Sequence, residues 1–306
     1  MNTLYDVLVI GSGVAGINAA IYGASEGLRI AVIEKQRGGQ IMGSSAVENL
    51  FSYATISGKE LIQRAYMQAI SFGAQFLPDT ITHVRKQDNL WYCTGVHGQY
   101  RAKTVIVAVG MQYKVLQLPG MHESCENVHY GTVMEYAQQC VDTPVYIIGG
   151  ANSAGQAAVY LSQYTNVTML VRDSIEKSMS AYLIQKIQAL PITVKEHCTV
   201  TSVHVDRNRI RSLQLSCASG SKEEYTCGEL FVFIGAQPAT AWLPEKLQKD
   251  PYGYIYTTPT METNLAGMYA IGDIVANQPK RVIVALGHAA VAIARVHEYL
   301  AQHVQV

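Results

Sequence analysis

The chain begins with a short apolar run, Tyr5-Asp6-Val7-Leu8-Val9-Ile10, that stops at a glycine-rich turn, Gly11-Ser12-Gly13-Val14-Ala15-Gly16. Apolar residues then recur at helical spacing at Ile17, Ala20, Ile21 and Ala24, and a second run, Arg29-Ile30-Ala31-Val32-Ile33, ends at Glu34. Strand, glycine turn, helix and strand in that order predict the βαβ unit of a dinucleotide-binding domain. The pattern returns about 138 residues later: Pro144-Val145-Tyr146-Ile147-Ile148 runs into Gly149-Gly150-Ala151-Asn152-Ser153-Ala154-Gly155, a helical pattern continues through Tyr164, and a strand follows from Val167 to Val171. A repeat of that kind predicts a duplicated nucleotide-binding fold. Further strands are predicted at Lys103–Val109, Glu229–Ile234 and Met268–Ile271, each leading to a glycine. The longest apolar stretch, Val282 to Leu300, contains His288, Arg295, His297 and Glu298, so it predicts a half-buried helix rather than a membrane span.

The resulting fold class is α/β, with two Rossmann-like nucleotide-binding domains and the second inserted in the first. At roughly 150 residues per domain, 306 residues suit two domains. The expected division places 1–118 with 246–306 and leaves 119–245 as the insert, with breaks near Leu118-Pro119-Gly120 and Pro244. Hydrophobic residues make up 49% and charged residues 15%, which excludes disordered and fibrous classes. Twenty-three basic residues balance twenty-three acidic ones, so no overall field draws in nucleic acid or an anionic membrane. The six cysteines are scattered, with no C-x-x-C and no metal-ligand spacing, which fits free thiols in a reducing cytoplasm. The opening residues carry no basic segment before their apolar run, so a signal peptide is not expected.

The first glycine turn has the parts needed to hold a pyrophosphate. Gly11 permits the tight turn, Gly13 lets phosphate approach the backbone, and Gly16 lets the helix pack on the strand. Ser12 and Ala15 lie in the same turn, and the helix N-terminus offers free N–H groups. Glu34, 18 positions after Gly16, can accept hydrogen bonds from an adenosine ribose. Far along the chain, Gly272-Asp273 places a carboxylate where a ribityl hydroxyl can donate to it. A helix starting near Arg281 and Val282 can aim N–H groups at the edge of a flavin.

These segments resemble the low-molecular-weight thioredoxin reductase family over essentially the whole chain. The resemblance rests on the first glycine turn with Glu34, on Gly38-Gly39-Gln40 followed by Val47-Glu48-Asn49, and on Val107-Ala108-Val109-Gly110. It continues in the second glycine turn, in Ile234-Gly235-Ala236-Gln237-Pro238-Ala239-Thr240 and in Gly267-Met268-Tyr269-Ala270-Ile271-Gly272-Asp273. It implies that the first and last segments bind FAD, that the middle segment is an NAD(P)H-binding domain, and that the protein is a homodimer. It also implies that Gly39, Gln40, Asn49 and Gly110 lie beside the flavin. The family's two redox thiols, spaced C-x-x-C, align with Gly131 and Met134, neither of which carries a thiol. Asn152-Ser153-Ala154-Gly155-Gln156-Ala157-Ala158, the 177–184 stretch and 231–236 resemble a subgroup lacking the cysteine pair.

The nicotinamide side departs from the family as well. Ala151 stands where the family has its middle glycine, and Arg172 is followed by Asp173 instead of belonging to an arginine cluster. Gly149, Gly150, Asn152, Ser153, Ala154 and Arg172 are the candidate contacts, with NADPH, NADH and no pyridine nucleotide all open. His129 and Tyr130, next to the vacated thiol positions, are candidates to stack on a flavin or relay a proton. Tyr113 is a candidate aromatic cover, and His288 a candidate at the flavin edge or a subunit interface. No metal site is expected. The expected function is a thiol-independent FAD oxidoreductase passing electrons from NAD(P)H to a small acceptor such as a quinone, free flavin or oxygen. A ferredoxin-linked flavoprotein, one served by another redox-protein donor or acceptor, a flavin-bound redox sensor or interaction protein, and a disulfide reductase using Cys125 or Cys140 are the alternatives.

Overall fold

A computed structural model describes residues 3–303 except 45, 123, 132, 219 and 221. In chain order, β1 (Leu4–Ile10), α1 (Val14–Ser25) and β2 (Ile30–Glu34) form the first βαβ unit. They are followed by α2 (Gly58–Ser71), β3 (Gln75–Pro78), β4 (Ile81–Gln87), β5 (Leu90–Gly95) and β6 (Gln99–Val107). After β7 (Met111–Tyr113) come β8 (Val128–Tyr130), β9 (Val145–Ile148), α3 (Asn152–Leu161), β10 (Val167–Leu170), α4 (Ala181–Gln188) and β11 (Ile192–Lys195). The hairpin strands β12 (Cys198–Asp206) and β13 (Arg209–Cys217) precede β14 (Lys222–Thr226), β15 (Glu229–Val232) and β16 (Ala236–Pro238). The chain ends with β17 (Met268–Ala270) and α5 (Val282–His303).

Two compact units result, Met1–Gln112 with Gln237–Val306, and Tyr113–Ala236. The second is inserted in the first, with changeovers at 112 and 236 instead of the expected 118 and 245. Packing explains both shifts. Leu116 and Leu118 pack on the second unit's core, whereas Leu243 and Trp242 pack on the first unit's core.

In the first unit the sheet runs β3-β2-β1-β6-β5-β4, and β17 shares with β5 the remaining edge of β6. The central strands are parallel and covered on both faces, which is why β1 and β2 read as unbroken apolar runs. Alternation divides β1 cleanly: Val7 and Val9 face the helical side with α1 and α5, while Leu8 and Ile10 face Val84, Trp91, Leu243 and Ile255. Among the described residues α5 is the one helix long and apolar enough to cross a membrane. It serves here as a core helix, burying Ala285, His288, Ala289, Ala292, Ile293 and Val296.

The second unit repeats the design with a parallel sheet β11-β10-β9-β15-β8. Val145 and Ile147 of β9 face α3 and α4, and Tyr146 and Ile148 face the antiparallel sheet β12-β13-β14. Three local expectations need correction. α3 stops at Leu161, where the chain tightens so that the Tyr164 N–H bonds the Leu161 carbonyl. β6 starts at Gln99 and ends at Val107, because Ala108 and Val109 turn away toward Gly110, which has a φ of 64°. The cysteines are not all free: Cys198 and Cys217 form a disulfide, while Cys93, Cys125, Cys140 and Cys227 are free and buried.

Candidate functional site

The first glycine turn is shaped by contacts that only glycine allows. Gly11 has a φ of 108°, and a side chain begun at Gly16 would meet the Gly11 carbonyl oxygen at 1.9 Å. The backbone beside Gly13 is open by contrast, with the Gly38 carbonyl oxygen the nearest atom to a side chain placed there, at 3.9 Å. Ser12 is buried, its hydroxyl donating to the Gln36 carbonyl and its own carbonyl accepting from Gly38 N–H. This leaves an open backbone approach at the start of α1, where unpaired N–H groups face an incoming anion.

Glu34 closes β2 as a buried carboxylate. Its Oε1 accepts from Arg37 at 3.0 Å, and its Oε2 is buried with no hydrogen-bond partner among the described residues. A buried acceptor left unmatched costs about 1–3 kcal/mol, which a hydroxyl donor arriving with a ligand would recover. That orphaned oxygen fits a ribose, so the residues present suit the adenosine half of FAD. Arg37 also stacks over the Tyr66 ring at 3.6 Å; the sequence reading missed it.

The closing segment meets this turn. Gly272 has a φ of 76° and stands so close to Ala15 that a side chain on it would lie 3.0 Å from the Ala15 Cβ. Asn18 of α1 donates to the Leu286 carbonyl of α5 at 2.9 Å. Asp273 is half-buried, and burial raises its carboxyl above the ordinary range against the opposing pull of Lys280. Lys280, also missed, donates to the Val275 carbonyl at 2.7 Å and lies over the Tyr254 ring at 4.2 Å. His288 is buried, its Nδ1 accepting from Gly272 N–H at 3.3 Å, so the ring braces the turn that carries Asp273. Burial first, and Lys280 second, hold His288 below its usual value. Arg281 is exposed ahead of α5, and Val282 packs with Val47, Leu50 and Ile56. Gly39, with a φ of 63°, would place a side chain 3.5 Å from the Gly13 Cα. Gln40 donates to the Met111 carbonyl at 3.1 Å, and Asn49 is exposed. The chain thus gathers Gly11–Gly16, Glu34, Gly39, Gln40, Gly272 and Asp273 within one unit.

The second glycine turn is more enclosed. A side chain at Gly150 would strike Val171, and Ala151 N-caps α3 without a side-chain bond. The Asn152 amide is held at both ends by Ser180, donating to its hydroxyl at 3.0 Å and accepting from its N–H at 2.7 Å. Ser153 is exposed and Ala154 buried on α3. Arg172 is exposed, beside an Asp173 that accepts from Lys177 at 3.0 Å.

Of the two positions expected to align with the family's thiols, Gly131 lies under another side chain. Gly131 has a φ of 78°, and a side chain begun there would sit 2.1 Å from the Tyr113 ring. Tyr113 therefore covers Gly131, and Met134 is partly exposed. His129 does not stand open to a ligand. It is 4% exposed, bonded to Glu229 at 2.6 Å, and its ring lies 3.8 Å from that of Tyr136. Glu229 is bonded in turn to Arg209 at 2.6 Å. Tyr130 accepts the Leu116 N–H on its hydroxyl at 3.1 Å and packs on the second unit's core. Both residues, candidates for stacking on a flavin or relaying a proton, have protein partners here. Three of the free thiols resist ionisation: burial pushes Cys93, Cys140 and Cys227 up to about 12. Cys125 and Cys140 belong to cores on opposite faces of the second sheet. No cluster of metal-ligating side chains occurs among the described residues.

Two glycine-turn βαβ units, the first closed by a buried carboxylate oxygen with no partner among the described residues, define a protein built from two Rossmann-type nucleotide-binding units. Residues 5–289 match the model of the pyridine nucleotide-disulphide oxidoreductase family, and the chain belongs to that family. Thioredoxin reductase of Treponema pallidum is 33% identical over 309 residues, covering 98% of each chain. Thioredoxin reductase of Peptoclostridium litorale is 32% identical, with the same coverage. The crystal structure of Lactococcus lactis thioredoxin reductase superposes with a TM-score of 0.92 at 24% identity, covering 97% of this chain and 99% of that one, a likeness of fold. The chain is accordingly an FAD-dependent oxidoreductase of thioredoxin reductase type, and the family implies use of FAD and NADPH.

Proposed function

We infer that this protein passes electrons from NAD(P)H through FAD to an acceptor that is not a disulfide, such as a quinone, free flavin or oxygen. The reading rests on Gly131. The position that would carry one of the paired thiols has a left-handed backbone and is covered by the Tyr113 ring, leaving no room for a cysteine side chain unless that ring moves. The buried thiols elsewhere, with three pushed up to about 12, support it.

FAD, when bound, supplies the two-electron chemistry. The first unit, 1–112 with 237–306, would hold it: the Gly11–Gly16 turn takes the pyrophosphate, Glu34 the adenosine ribose and Asp273 a ribityl hydroxyl. Gly39, Gln40, Asn49, Gly110, Arg281 and Val282 would complete the surroundings. Lys280 places a positive charge near Asp273, and His288 fixes the turn that presents it. The second unit, 113–236, would take the pyridine nucleotide at Gly149–Ala154 and Arg172. A homodimer working in the cytoplasm is part of the same proposal. Ala151 and the Asn152–Ser180 pair favour one second reading, in which a redox protein such as ferredoxin serves in place of a nicotinamide.

Anaerobic titration of the yellow protein separates these readings. NADPH or NADH should bleach the flavin band within minutes, and the reduced protein should be reoxidised by a quinone but not by a thioredoxin disulfide. Bleaching by reduced ferredoxin alone would select the second reading. Steady turnover of thioredoxin would overturn the non-disulfide acceptor.

A further inference from the structure

The disulfide occupies a particular place in the second unit. β12 and β13 are joined at one end by the turn at Arg207 and Asn208 and at the other by Cys198–Cys217, directly opposite each other in the ladder. Ala218 N–H bonds the His197 carbonyl at 3.0 Å, which makes the cysteines a non-hydrogen-bonded pair. Side chains approach most closely at such pairs, and the Cα atoms here are 4.1 Å apart. The cross-link therefore closes the open end of the hairpin, the end otherwise most prone to fray.

That end is stitched to the segment after β10. Cys198 N–H donates to the Val171 carbonyl at 3.1 Å, His197 N–H to the Asp173 carbonyl at 3.3 Å, and Val171 N–H to the Lys195 carbonyl at 2.9 Å. Val171 in turn packs against Gly150 of the second glycine turn. A continuous route of bonds and contacts within one unit thus links the disulfide to residues 150 and 171–173.

We propose that Cys198–Cys217 is a thiol-exchange site, and that its oxidised form clamps the 171–173 segment in the conformation that receives the adenosine end of a pyridine nucleotide. The nucleotide part rests on the second unit being the nicotinamide site. The co-reactant is a small dithiol. Cys198 is buried and Cys217 partly exposed, so one thiolate of the dithiol attacks the Cys217 sulfur. A mixed disulfide forms on Cys217 while Cys198 leaves as a thiolate and takes up a proton. The second thiol of the reagent, as thiolate, then displaces Cys217, which is protonated in turn. Two electrons and two protons have moved to the protein, and the reagent leaves as a cyclic disulfide.

The test uses the full-length FAD-loaded protein, oxidised and after treatment with dithiothreitol, together with Cys217→Ser. Three readouts are taken: the thiol count, amide hydrogen exchange at residues 171–173 and 197–198, and the affinity for NADPH and NADH. Reduction should add two thiols, accelerate exchange at those amides and weaken nucleotide binding about fivefold or more. Cys217→Ser should match the reduced protein and no longer respond to dithiothreitol. Unchanged exchange together with unchanged affinity would overturn the clamp, as would a thiol count that reduction does not raise. If no nucleotide binds in either state while exchange still accelerates on reduction, the nicotinamide assignment falls and the clamp on 171–173 stands.

Discussion

The two glycine turns share a plan and differ in how they are finished. The first leaves an open backbone approach at Gly13 and, at Glu34, a buried carboxylate oxygen without a partner among the described residues. The second has a methyl group at Ala151, an Asn152 amide engaged by Ser180, and an exposed Arg172 beside an acid already paired with Lys177. A site with unmet hydrogen bonds and a prepared cradle suits a cofactor that stays. One whose polar groups already bond each other suits a ligand that comes and goes, because each such bond must be exchanged on binding. Under the proposed function, the first turn would hold the resident nucleotide and the second the visiting one.

Substitutions can break or sharpen that contrast. The largest expected effect falls in the second unit and concerns stability. Replacing His129 with alanine removes one partner of the buried Glu229 and the ring packed on Tyr136, and should cost about 3 kcal/mol. Urea unfolding measures it, and the flavin spectrum of the folded protein should stay the same. A lost flavin spectrum with full stability would instead restore His129 as a flavin contact.

In the first unit, Glu34→Ala should weaken FAD retention by roughly ten- to a hundredfold, the worth of about 1.5–3 kcal/mol for a hydrogen bond to a charged group. Equilibrium dialysis of the apoprotein with FAD reads this directly, and nicotinamide affinity should be unaffected. An equal loss of both ligands would mean that the two turns are not functionally distinct.

Ala151→Gly tests the second turn from the other side. Removing the methyl group should tighten nicotinamide binding by up to about tenfold, near 1.4 kcal/mol, while the added backbone freedom lowers stability by about 0.5–1 kcal/mol. Fluorescence titration with NADPH and NADH checks it. Unchanged affinity would favour a donor that does not use this turn.

The smallest effect is a pH dependence from His288. Burial and the nearby Lys280 hold its folded value below the unfolded one. The unfolded chain therefore binds the proton first as pH falls. The contribution to stability is complete above the unfolded value, roughly 6.5, and declines as pH drops from there toward the folded value. Unfolding free energies measured from pH 8 to 5 should show this slope, and His288→Asn should flatten it.

Local spacing made much of the molecule legible. The apolar runs at 5–10 and 145–148, each closed by glycines and followed by a helical repeat, specify βαβ units because short-range geometry sets where a strand ends and a helix begins. Glu34 was legible for the same reason, standing at the end of the strand after the first turn. Lys280 was missed although it adjoins Arg281, since its role depends on Tyr254 and Val275, which its own segment does not announce.

By itself the sequence determined the duplicated architecture, the place of the two glycine turns and the absence of a C-x-x-C pair. Only tertiary structure decided that Tyr113 covers Gly131, that His129 is bound to a glutamate 100 residues away, and that Cys198 meets Cys217 across a hairpin. The physical reason is that composition and periodicity encode which face of an element is apolar. Which side chain stands opposite another is set by strand register and by how separate elements close around a core.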